Sequence, residues 1–469
     1  MIIHMPDKVK RIISVLQKNG YEAYAVGGCV RDAMLGRTPN DWDITTSALP
    51  QEVKALFRST IDTGIRHGTV TVMLEREGFE VTTYRIDGEY EDARHPKNVE
   101  FTVSLSEDLK RRDFTINAMA YNDQDGLVDL FEGEKDLKEG RIRCVGNPTE
   151  RFTEDALRIL RAFRFSAQLG FFVEEETLLA AGKLAENLQK ISAERIYTEL
   201  SKLLCSDHPQ RLYDAYRCGV TKYFLPELDD MYKTEQNHPA HYACVGEHSL
   251  DTVLHTARVT EFSDRGGFSD KELLMLRLSA LLHDVAKPEC QRKDENGIDH
   301  FTGHAERGAE LAAGILRRLK TDNQTLETVT ALIRWHDYPF SPQLRPVRRA
   351  MNKIGPQRFP LLFSLRMADL MAHNEPYRTQ GPENLRKVWK VFEEVLQKGE
   401  CTSLKDLAVT GADLIQNGIP AGKHMGAILE QLLQGVIEEP QKNEKNRLLQ
   451  EAKILWERNG KESDEGGAS

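Results

Sequence analysis

Residues 26–44 read VGGCVRDAMLGRTPNDWDI, and the fold predicted for the N-terminal part of the chain follows from this stretch. The apolar run Tyr24-Ala25-Val26 predicts a short strand that leads into two glycines, where the backbone can approach another group with no Cβ in the way. Cys29 to Leu35 predicts a short helix that Gly36 ends. Backbone N–H groups at the start of such a helix favour an anion such as a triphosphate.

Two carboxylates follow this helix in the segment Asp41-Trp42-Asp43. If the segment is a strand, its period of two places both carboxylates on one face and the tryptophan on the other. Adjacent carboxylates repel each other unless a cation lies between them, and ligation by oxygen alone suits Mg²⁺. Arg31 is a second positive group in the first turn of the helix. A lone Gly-Gly or a lone Asp-x-Asp is usually structural, but this order and spacing favour nucleotidyl transfer.

Length and composition indicate a globular protein of several domains. The 469 residues suffice for two to four domains, and 40% apolar and 29% charged residues are typical of that class. No run approaches about 18 apolar residues, and the N-terminal MIIHMPDKVKRI lacks a signal pattern. The seven cysteines form no CxxC pair, which favours reduced thiols and predicts a cytoplasmic protein. The net charge of −10 argues against a nucleic-acid partner, although a local basic stripe suffices for binding.

Residues 153–169 read TEDALRILRAFRFSAQL and predict a helix with Thr153 as its N-cap. Arg158, Arg161 and Arg164 are spaced by three and form one slanted stripe on this largely apolar helix. Burying an arginine without a partner is very costly, so the stripe predicts an anion or carboxylate partner. Ordinary surface salt bridges are disfavoured, because three arginines outnumber the nearby acids. Glu80, in a predicted strand, is equally consistent with a third catalytic carboxylate and with a solvated charge.

Three motifs in this order resemble one family. GGxVRD with DxD resembles the polymerase-β-type nucleotidyltransferases, and residues 111–121 and Glu154-Asp155-x-x-Arg158 resemble two further motifs of the class II CCA-adding tRNA nucleotidyltransferases. The resemblance covers about residues 10–230, and bacterial poly(A) polymerases share its head motifs. It implies an α+β fold in which a head with a small mixed β-sheet, of five strands, precedes a mostly α-helical neck, body and tail.

The resemblance also implies roles for particular residues. Asp41 and Asp43 are implied to hold catalytic Mg²⁺ while the tRNA 3′-hydroxyl attacks the α-phosphate and pyrophosphate leaves. The residues implied to bind the nucleotide are Gly28, Arg31 and Arg112 as contacts, Asp155 and Arg158 as readers of its base, and Arg161 and Arg164 in the same pocket. The implied partners are tRNA, CTP and ATP, without a membrane. The loop Arg85–Pro96 has its full length, which implies complete CCA addition, because a shortened loop marks enzymes that add only two cytidines.

A second constellation of ligand-type side chains lies within residues 240–375. Its members each lie on an apolar helical pattern or at its end: His255, His283, Asp284, His304, His336 and Asp369. Imidazole with carboxylate suits a transition metal such as Mn²⁺, Fe²⁺, Co²⁺ or Ni²⁺, and Asp284 is able to bridge two ions. One histidine on an apolar helix is most often a core residue, but six such residues favour a metal centre.

The order H…HD…H…H…D resembles the HD phosphohydrolase domain. The resemblance implies a first site of His255, His283, Asp284 and Asp369, and a second site completed by His304 and His336. It implies metal-dependent hydrolysis of phosphate esters, such as 2′,3′-cyclic phosphates or 3′-phosphates at damaged tRNA ends. A retained but inactive helical domain is the alternative.

These observations predict five segments in order. They are a nucleotidyltransferase head at residues 1–140, a helical neck and RNA-binding body at 141–235, an HD domain at 236–375, a helical tRNA-binding tail at 376–460, and disorder at 461–469. The alternatives are a bacterial poly(A) polymerase, a signalling protein like the uridylyltransferase of nitrogen signalling, and a non-catalytic RNA-binding protein. The helical tail disfavours the second alternative, and the intact pair Asp41 and Asp43 disfavours the third. The oligomeric state stays open.

Overall fold

The computed structural model describes residues 2–87, 99–240, 243–263 and 265–465. The chain divides into two compact units, of which the first comprises Met1–Asp230 with Ile315–Thr321 and the second comprises Met231–Gly314 with Asp322–Ser469. Every helix within the described residues is too short or too polar to cross a membrane.

A mixed sheet of seven strands lies in the first unit. The strands of this unit are β1 (Ala23–Val26), β2 (Ile44–Thr46), β3 (Thr60–Gly64), β4 (Thr69–Leu74), β5 (Glu77–Thr83), β6 (Arg85–Asp87), β7 (Val99–Phe101), β8 (Met119–Asn122), β9 (Gly126–Asp129), β10 (Arg141–Ile142) and β11 (Phe172–Val173). The sheet order is β3-β4-β5-β2-β1-β8-β9, while β6 pairs with β7 and β10 with β11 outside it. β1 pairs antiparallel with β2 and β8, and β2 pairs parallel with β5. The α+β class is confirmed, but the implied number of five strands is wrong, because hairpins add β3 and β9 at the two edges.

Helices cover this sheet and continue beyond it. They are α1 (Asp7–Lys18), α2 (Gly28–Met34), α3 (Pro50–Leu56), α4 (Leu105–Lys110), α5 (Gly133–Glu139), α6 (Pro148–Glu154), α7 (Leu157–Leu169), α8 (Glu175–Leu184), α9 (Ala193–Leu204), α10 (Leu212–Arg217) and α11 (Pro226–Lys233). In α1 the residues at helical spacing, Val9, Ile12, Ile13 and Leu16, are all buried.

The two motif segments differ locally from the prediction. Asp41-Trp42-Asp43 is not in a strand, because β2 begins only at Ile44. The helix predicted over residues 153–169 is two helices, because Asp155 has the extended dihedrals φ −140° and ψ 103° between α6 and α7. Thr153 is therefore not a cap, and the Asn147 side chain caps α6 instead, accepting from the Thr149 N–H at 2.9 Å.

The segment 85–101, which includes the predicted loop Arg85–Pro96, is partly regular. Its ends form the antiparallel pair β6 and β7, in which Ile86 lies opposite Glu100. Residues 88–98, and with them most of the loop Arg85–Pro96, lie outside the described residues.

The second unit is almost entirely helical. Its elements are α12 (Val245–Thr256), α13 (Asp270–Leu282), α14 (Lys287–Cys290), the hairpin β12 (Arg292–Lys293) and β13 (Asp299–His300), α15 (His304–Arg318), α16 (Asn323–Trp335), α17 (Leu344–Ile354), α18 (Phe359–Met371), α19 (Tyr377–Gln397), α20 (Gly411–Gln416), α21 (His424–Glu438) and α22 (Lys445–Glu465). The helix α13 is buried from Met275 to Leu282 and packs against α12, α16 and α18. This arrangement directs the histidines of several helices towards one place.

The last three helices have a core of their own. Leu414, Ile428, Leu432 and Leu448 are buried in this cluster, which is consistent with the predicted helical tail. The helix α22 continues to Glu465, into the segment 461–469 for which disorder was predicted, and residues 466–469 lie outside the described residues.

Candidate active sites

The double glycine joins the end of β1 to the start of α2. Gly27 has φ +82°, and a Cβ at this position would lie 2.9 Å from Nη1 of Arg112, so only glycine fits the turn. Val26 donates its N–H to the carbonyl oxygen of Asp43 at 3.0 Å, which holds the acidic segment beside the glycines. The motif therefore forms one local structure although its two halves are separated in sequence.

The carboxylates of this segment lie in a crowded negative region. Asp41 and Asp43 are exposed and flank Trp42, which is half-buried, although the segment is not the strand for which this alternation was predicted. Although the residue as a whole is exposed, partial burial of its carboxyl group raises the pKa of Asp43, the charges of Glu80 and Asp41 raise it further, and Arg112 opposes them. Glu80 lies on β5 beside β2, so it acts on the same region as the two aspartates.

Two arginines of the motifs are held by neighbouring side chains. Nη1 of Arg31 donates to Oδ1 of Asn117 at 2.6 Å, and Nε donates to Asp32 at 2.9 Å. Nη2 of Arg112 donates to Oδ2 of Asp108 at 3.4 Å. These contacts fix the guanidinium groups next to the glycine turn.

An open cleft of about 550 Å³ lies against these elements within the first unit. The predicted site residues that line it are Gly28, Arg31, Asp41, Asp43 and Arg164. Further residues of its wall that sequence reasoning did not select include Asp32, Arg37, Asn40, Phe165 and Gln168. Arg112, Asp155, Arg158 and Arg161 do not line the cleft.

Each arginine of the α7 stripe has a carboxylate partner. Arg158 pairs with Glu154, Nε of Arg161 donates to Asp113 at 2.8 Å, and Nε of Arg164 lies 2.6 Å from Glu199. The carboxylate partners predicted for the stripe are present, and two of them come from distant parts of the chain rather than from nearby acids.

Phe165 lies at the centre of these arginines. The guanidinium carbon of Arg164 is 3.9 Å from the ring centroid, and those of Arg31 and Arg161 are 5.1 and 5.5 Å away. Such distances allow cation–π attraction. The ring also makes an edge contact with Phe114, with 5.7 Å between centroids. In the sequence, Phe165 is one of the apolar residues of the helix, and nothing in the pattern distinguishes it from the others.

The two predicted base-reading residues are engaged with other groups. Asp155 accepts from Arg195 at 2.8 Å and from the N–H of Leu157 at 3.0 Å. Arg158 donates to the backbone carbonyls of Arg151 at 3.1 Å and Arg111 at 3.2 Å. Asp155 and Arg158 do not lie on one continuous helix, because the helix predicted over residues 153–169 is interrupted at Asp155.

A cluster of histidines and aspartates lies in the second unit. Among the described residues, three groups have ligand atoms within 4.8 Å of one another. They are His248 with Asp369 and His373, His248 with His283 and Asp284, and Asp284 with His304 and His336. Five of the six predicted ligand residues are therefore brought together.

His255 is the predicted ligand that the structure does not bring into these groups. His248 occupies the corresponding place, and its Nε2 lies 2.9 Å from Oδ1 of Asp369. The two histidines are seven residues apart on α12, which is about two turns, so they share a helix face and the sequence pattern cannot distinguish them. His373 was also missed, although it lies four residues after Asp369, a spacing that brings helical side chains together.

Three imidazoles of the cluster make the same kind of hydrogen bond to the backbone. Nδ1 of each donates to a backbone carbonyl: His283 to Ala280 at 2.8 Å, His304 to Phe301 at 2.8 Å, and His336 to Ile333 at 2.6 Å. In the neutral ring this leaves the lone pair on Nε2, which is the usual arrangement of metal-binding histidines.

Burial lowers the pKa of His336, and neighbouring charges lower the pKa of Asp284. Both shifts favour an unprotonated side chain. Burial, followed by the charges of His283 and His304, lowers the pKa of His336 to about 3. Burial would raise the pKa of Asp284, but His283 and Lys287 hold it well below its usual range. An ionised, buried carboxylate that three imidazoles face through Nε2 is a donor set that suits a transition metal.

A cavity of about 620 Å³ opens beside this cluster. Its wall carries Lys287, Arg366, His300 and Tyr377 in addition to the clustered residues. Nζ of Lys287 lies 2.7 Å from Oδ2 of Asp284, so the two residues form an ion pair in the wall of the cavity.

Comparison with known proteins agrees with both the fold and the head motifs. Residues 23–143 match the family described as the poly A polymerase head domain, residues 170–232 match the probable RNA and SrmB-binding site of polymerase A, and residues 292–452 match a putative tRNA nucleotidyltransferase domain 2.

Relatives match over almost the whole chain. The CCA-adding enzyme of Levilactobacillus brevis is 35% identical over 453 residues, which cover 95% of this chain and 98% of the relative. That of Ligilactobacillus salivarius is 35% identical over 466 residues, with 97% and 99% covered. The solved CCA-adding enzyme of Bacillus stearothermophilus, in complex with CTP, has a TM-score of 0.71 at 28% identity and covers 98% of this chain and 100% of its own. The chain therefore belongs to the class II CCA-adding tRNA nucleotidyltransferases.

Proposed function

We propose that this chain builds or repairs the 3′-terminal CCA of tRNA from CTP and ATP without a nucleic-acid template. The observation that carries the proposal is one cleft whose wall contains Asp41 and Asp43 together with Gly28 and Arg31. Carboxylates beside a guanidinium suit a triphosphate that binds with a cation. The complex of the Bacillus stearothermophilus relative with CTP supports the same nucleotide here.

Mg²⁺ fits the acidic segment, where Asp41 and Asp43 would hold it. The charges of Asp41 and Glu80 both raise the pKa of Asp43, and a cation would relieve that repulsion. When bound, the ion would neutralise charge on the reacting phosphate. Arg31 and Arg112 would bind the remaining phosphate charge, since their neighbours hold both guanidinium groups beside the glycine turn.

Base selection is proposed to rest on Asp155 and Arg158. A carboxylate only accepts hydrogen bonds and a guanidinium only donates them. Cytosine presents an N4 amine that donates and an N3 that accepts, and adenine presents the same order with N6 and N1. Uracil and guanine present the reverse order. Two unmatched contacts at about 1–3 kcal/mol each would give discrimination on the order of 10² to 10⁴.

The nearest alternative, a poly(A) polymerase, predicts a different product. Incubation with tRNA lacking its CCA, and with CTP alone, ATP alone or both, distinguishes the two. Two cytidines from CTP alone and one further adenosine with both nucleotides support CCA addition. A long tail from ATP alone would contradict it. Residues 88–98 lie outside the described residues. The proposal of complete CCA addition therefore depends on the length of the loop Arg85–Pro96 in the sequence, and this assay tests it.

A second proposed function is metal-dependent hydrolysis of phosphate esters at the cluster of the second unit. The observation that favours it is the distance of 3.1 Å between Nε2 of His304 and Nε2 of His336. Nδ1 of each ring donates to a backbone carbonyl, so in the neutral rings two Nε2 lone pairs face each other, and burial lowers the pKa of His336. A cation bound by both nitrogens removes this repulsion, so the donor set fits a metal.

The residues proposed to hold metal ions are His248, His283, Asp284 and Asp369 in one site and Asp284, His304 and His336 in a second. Mn²⁺, Fe²⁺, Co²⁺ and Ni²⁺ suit these donors, and a bound ion would supply a hydroxide at neutral pH. Lys287 and Arg366 on the cavity wall would bind the negative ester. The test is hydrolysis of 2′,3′-cyclic AMP and 3′-AMP by protein stripped with a chelator and reloaded with each metal. Absence of hydrolysis with every metal would favour the inactive-domain alternative.

A further inference from the structure

Asn117 is a buried side chain behind the cleft of the first unit, in the short turn Thr115–Asn117 that precedes β8. Only 6% of the residue is exposed, and it does not belong to the wall of the cleft that Arg31 lines. Its Oδ1 accepts a hydrogen bond of 2.6 Å from Nη1 of Arg31. Asn117 is therefore one residue away from a nucleotide bound in this cleft, and Arg31 lies between them.

The direction of the Asn117 amide is determined by its two neighbours. Nδ2 donates to Oδ1 of Asp113 at 3.3 Å, while Oδ1 of the amide lies on the side of Arg31. A carboxylate only accepts hydrogen bonds and a guanidinium only donates them, so one orientation of the amide satisfies both neighbours. Asp113 is held in turn by Arg161, whose Nε donates to its Oδ2 at 2.8 Å. The amide thus has a fixed support and holds Arg31 in one direction.

The guanidinium of Arg31 keeps donors for a ligand. Nε and Nη2 donate to the two carboxylate oxygens of Asp32 at 2.9 and 3.0 Å, and Nη1 donates to Asn117. A guanidinium has five N–H donors, so two of them remain. A Cβ at Gly28 would lie 3.6 Å from Nη2 of Arg31, and both residues line the cleft. The remaining donors are therefore beside the glycine turn, where the triphosphate is proposed to bind.

The charge of the partners decides how well Arg31 attracts a phosphate. Asp32 already supplies one negative charge, with 2.8 Å between its Oδ1 and Nη2 of Arg31. A second carboxylate at position 117 would leave an excess of negative charge at the place where the nucleotide brings its own. An amide accepts the same hydrogen bond and adds no charge.

We propose that Asn117 is a positioning residue, which directs the Arg31 guanidinium at the triphosphate of the incoming nucleotide without neutralising it. The inference rests on the nucleotide site proposed above. Because the triphosphate is common to CTP and ATP, Asn117 affects the binding of both nucleotides alike and has no part in the choice of base.

The test measures the Kd of the full chain for CTP and for ATP by equilibrium dialysis, with Mg²⁺ and without tRNA. Asn117→Ala is expected to raise both Kd values by the same factor of about ten or more, because a hydrogen bond to a charged group is lost and Arg31 loses its direction. Asn117→Asp is expected to raise both values further, because it keeps the acceptor but adds a negative charge.

Asn122→Ala is the matched control. Asn122 is a second buried asparagine of the same sheet, and its Nδ2 donates to the carbonyl oxygen of Ala23 and to Asp125. The control is expected to keep both Kd values even where its melting temperature falls as far as that of Asn117→Ala. A loss of stability alone therefore does not account for weaker nucleotide binding.

A double-mutant cycle with Arg31→Met shows whether Asn117 acts through Arg31. In the Arg31→Met background, Asn117→Ala is expected to change either Kd by less than about twofold, because the group that it positions is absent. An equal loss in both backgrounds, or an unchanged Kd in Asn117→Ala, overturns the positioning role. A Kd of Asn117→Asp at or below that of Asn117→Ala overturns the argument from charge.

The same preparation separates this inference from the proposed function. If the unchanged chain binds CTP but adds no cytidine to truncated tRNA, the proposed function is overturned, while the cycle still decides the role of Asn117. If the unchanged chain binds neither nucleotide, both are overturned.

Discussion

Arg195 donates a hydrogen bond from Nη2 to Oδ2 of Asp155 at 2.8 Å, and this ion pair connects α9 to the interruption between α6 and α7. The other carboxylate oxygen, Oδ1, accepts from the N–H of Leu157 at 3.0 Å. Both oxygens are therefore fixed in direction before a base is present. Each oxygen keeps a second lone pair, so the carboxylate can still accept from a base amine.

Asp155→Ala is expected to lower the preference for CTP over UTP in kcat/KM by at least about tenfold, the smallest effect of one lost contact. Arg195→Met should lower the same preference by a smaller factor, because the carboxylate stays but loses its orientation. Lys202 is an exposed residue on α9, the helix that carries Arg195. Lys202→Met is therefore the control and should leave the preference unchanged. An unaltered preference in Asp155→Ala would place base selection elsewhere in the chain.

Asp43→Ala is expected to abolish nucleotide addition and to leave tRNA binding nearly unchanged, because the proposed RNA-binding segments lie elsewhere. Single-turnover addition and a gel-shift titration with truncated tRNA measure the two properties. Asp62→Asn removes an exposed carboxylate of the same sheet, whose ion pair with Lys54 contributes little, and serves as the control. Near-normal addition by Asp43→Ala would contradict the assignment.

The double change His283→Ala with Asp284→Ala is expected to remove metal-dependent hydrolysis of cyclic phosphates and to spare CCA addition. The two proposed sites consist of different residues in different units, so their activities should be separable. Both assays on one preparation check this, with His255→Ala as the control. Loss of CCA addition in the double variant, with its melting temperature unchanged, would show that the activities are not independent.

Phe165→Leu is expected to raise KM for CTP about threefold or more, since it removes the aromatic face under Arg31, Arg161 and Arg164 while keeping an apolar side chain. Cation–π contacts of this kind contribute about 0.5–2 kcal/mol each. The control is Phe172→Leu, an exposed aromatic residue on β11. Equal KM values for the two variants would mean that Phe165 contributes only packing.

Asp113→Asn is expected to destabilise the protein in a pH-dependent manner. Burial would raise the pKa of Asp113, but Arg161 holds it at about 2, below the ordinary value of 3.8. A lowered pKa stabilises the folded state above the unfolded pKa, and the stabilisation is lost as the pH falls through the folded pKa. The variant should thus lose about 2 kcal/mol at pH 7 and about half of that at pH 3. Urea unfolding of both proteins at the two pH values measures the difference, and an equal loss at both would refute the electrostatic origin.

Local sequence patterns predicted the elements whose partners are near in sequence. The strand before the double glycine, the glycine turn and the short helix α2 that follows it all follow from turn chemistry and helix end signals. The mixed β-sheet of the head could also be predicted, because the resemblance to the family implies it.

The parts that could not be predicted depend on contacts between distant residues. Arg161 pairs with Asp113 and Arg164 with Glu199, across 48 residues in the first case, and no local count of acids includes them. The choice between His248 and His255 depends on which turn of α12 faces Asp369, a matter of packing rather than of pattern. The interruption at Asp155 arises where a side chain competes with the backbone for the N–H of Leu157.

The place of β1 in the sheet has a consequence for how the head forms during synthesis. β1 pairs on one side with β2 but on the other with β8, where Ala25 lies opposite Tyr121. Until β8 has left the ribosome, one edge of β1 keeps unpaired N–H and C=O groups that another nascent chain could pair with. Asp41 and Asp43 are thus translated early. The neighbouring strand β1, however, has both of its pairing partners only after about a quarter of the 469 residues has been made.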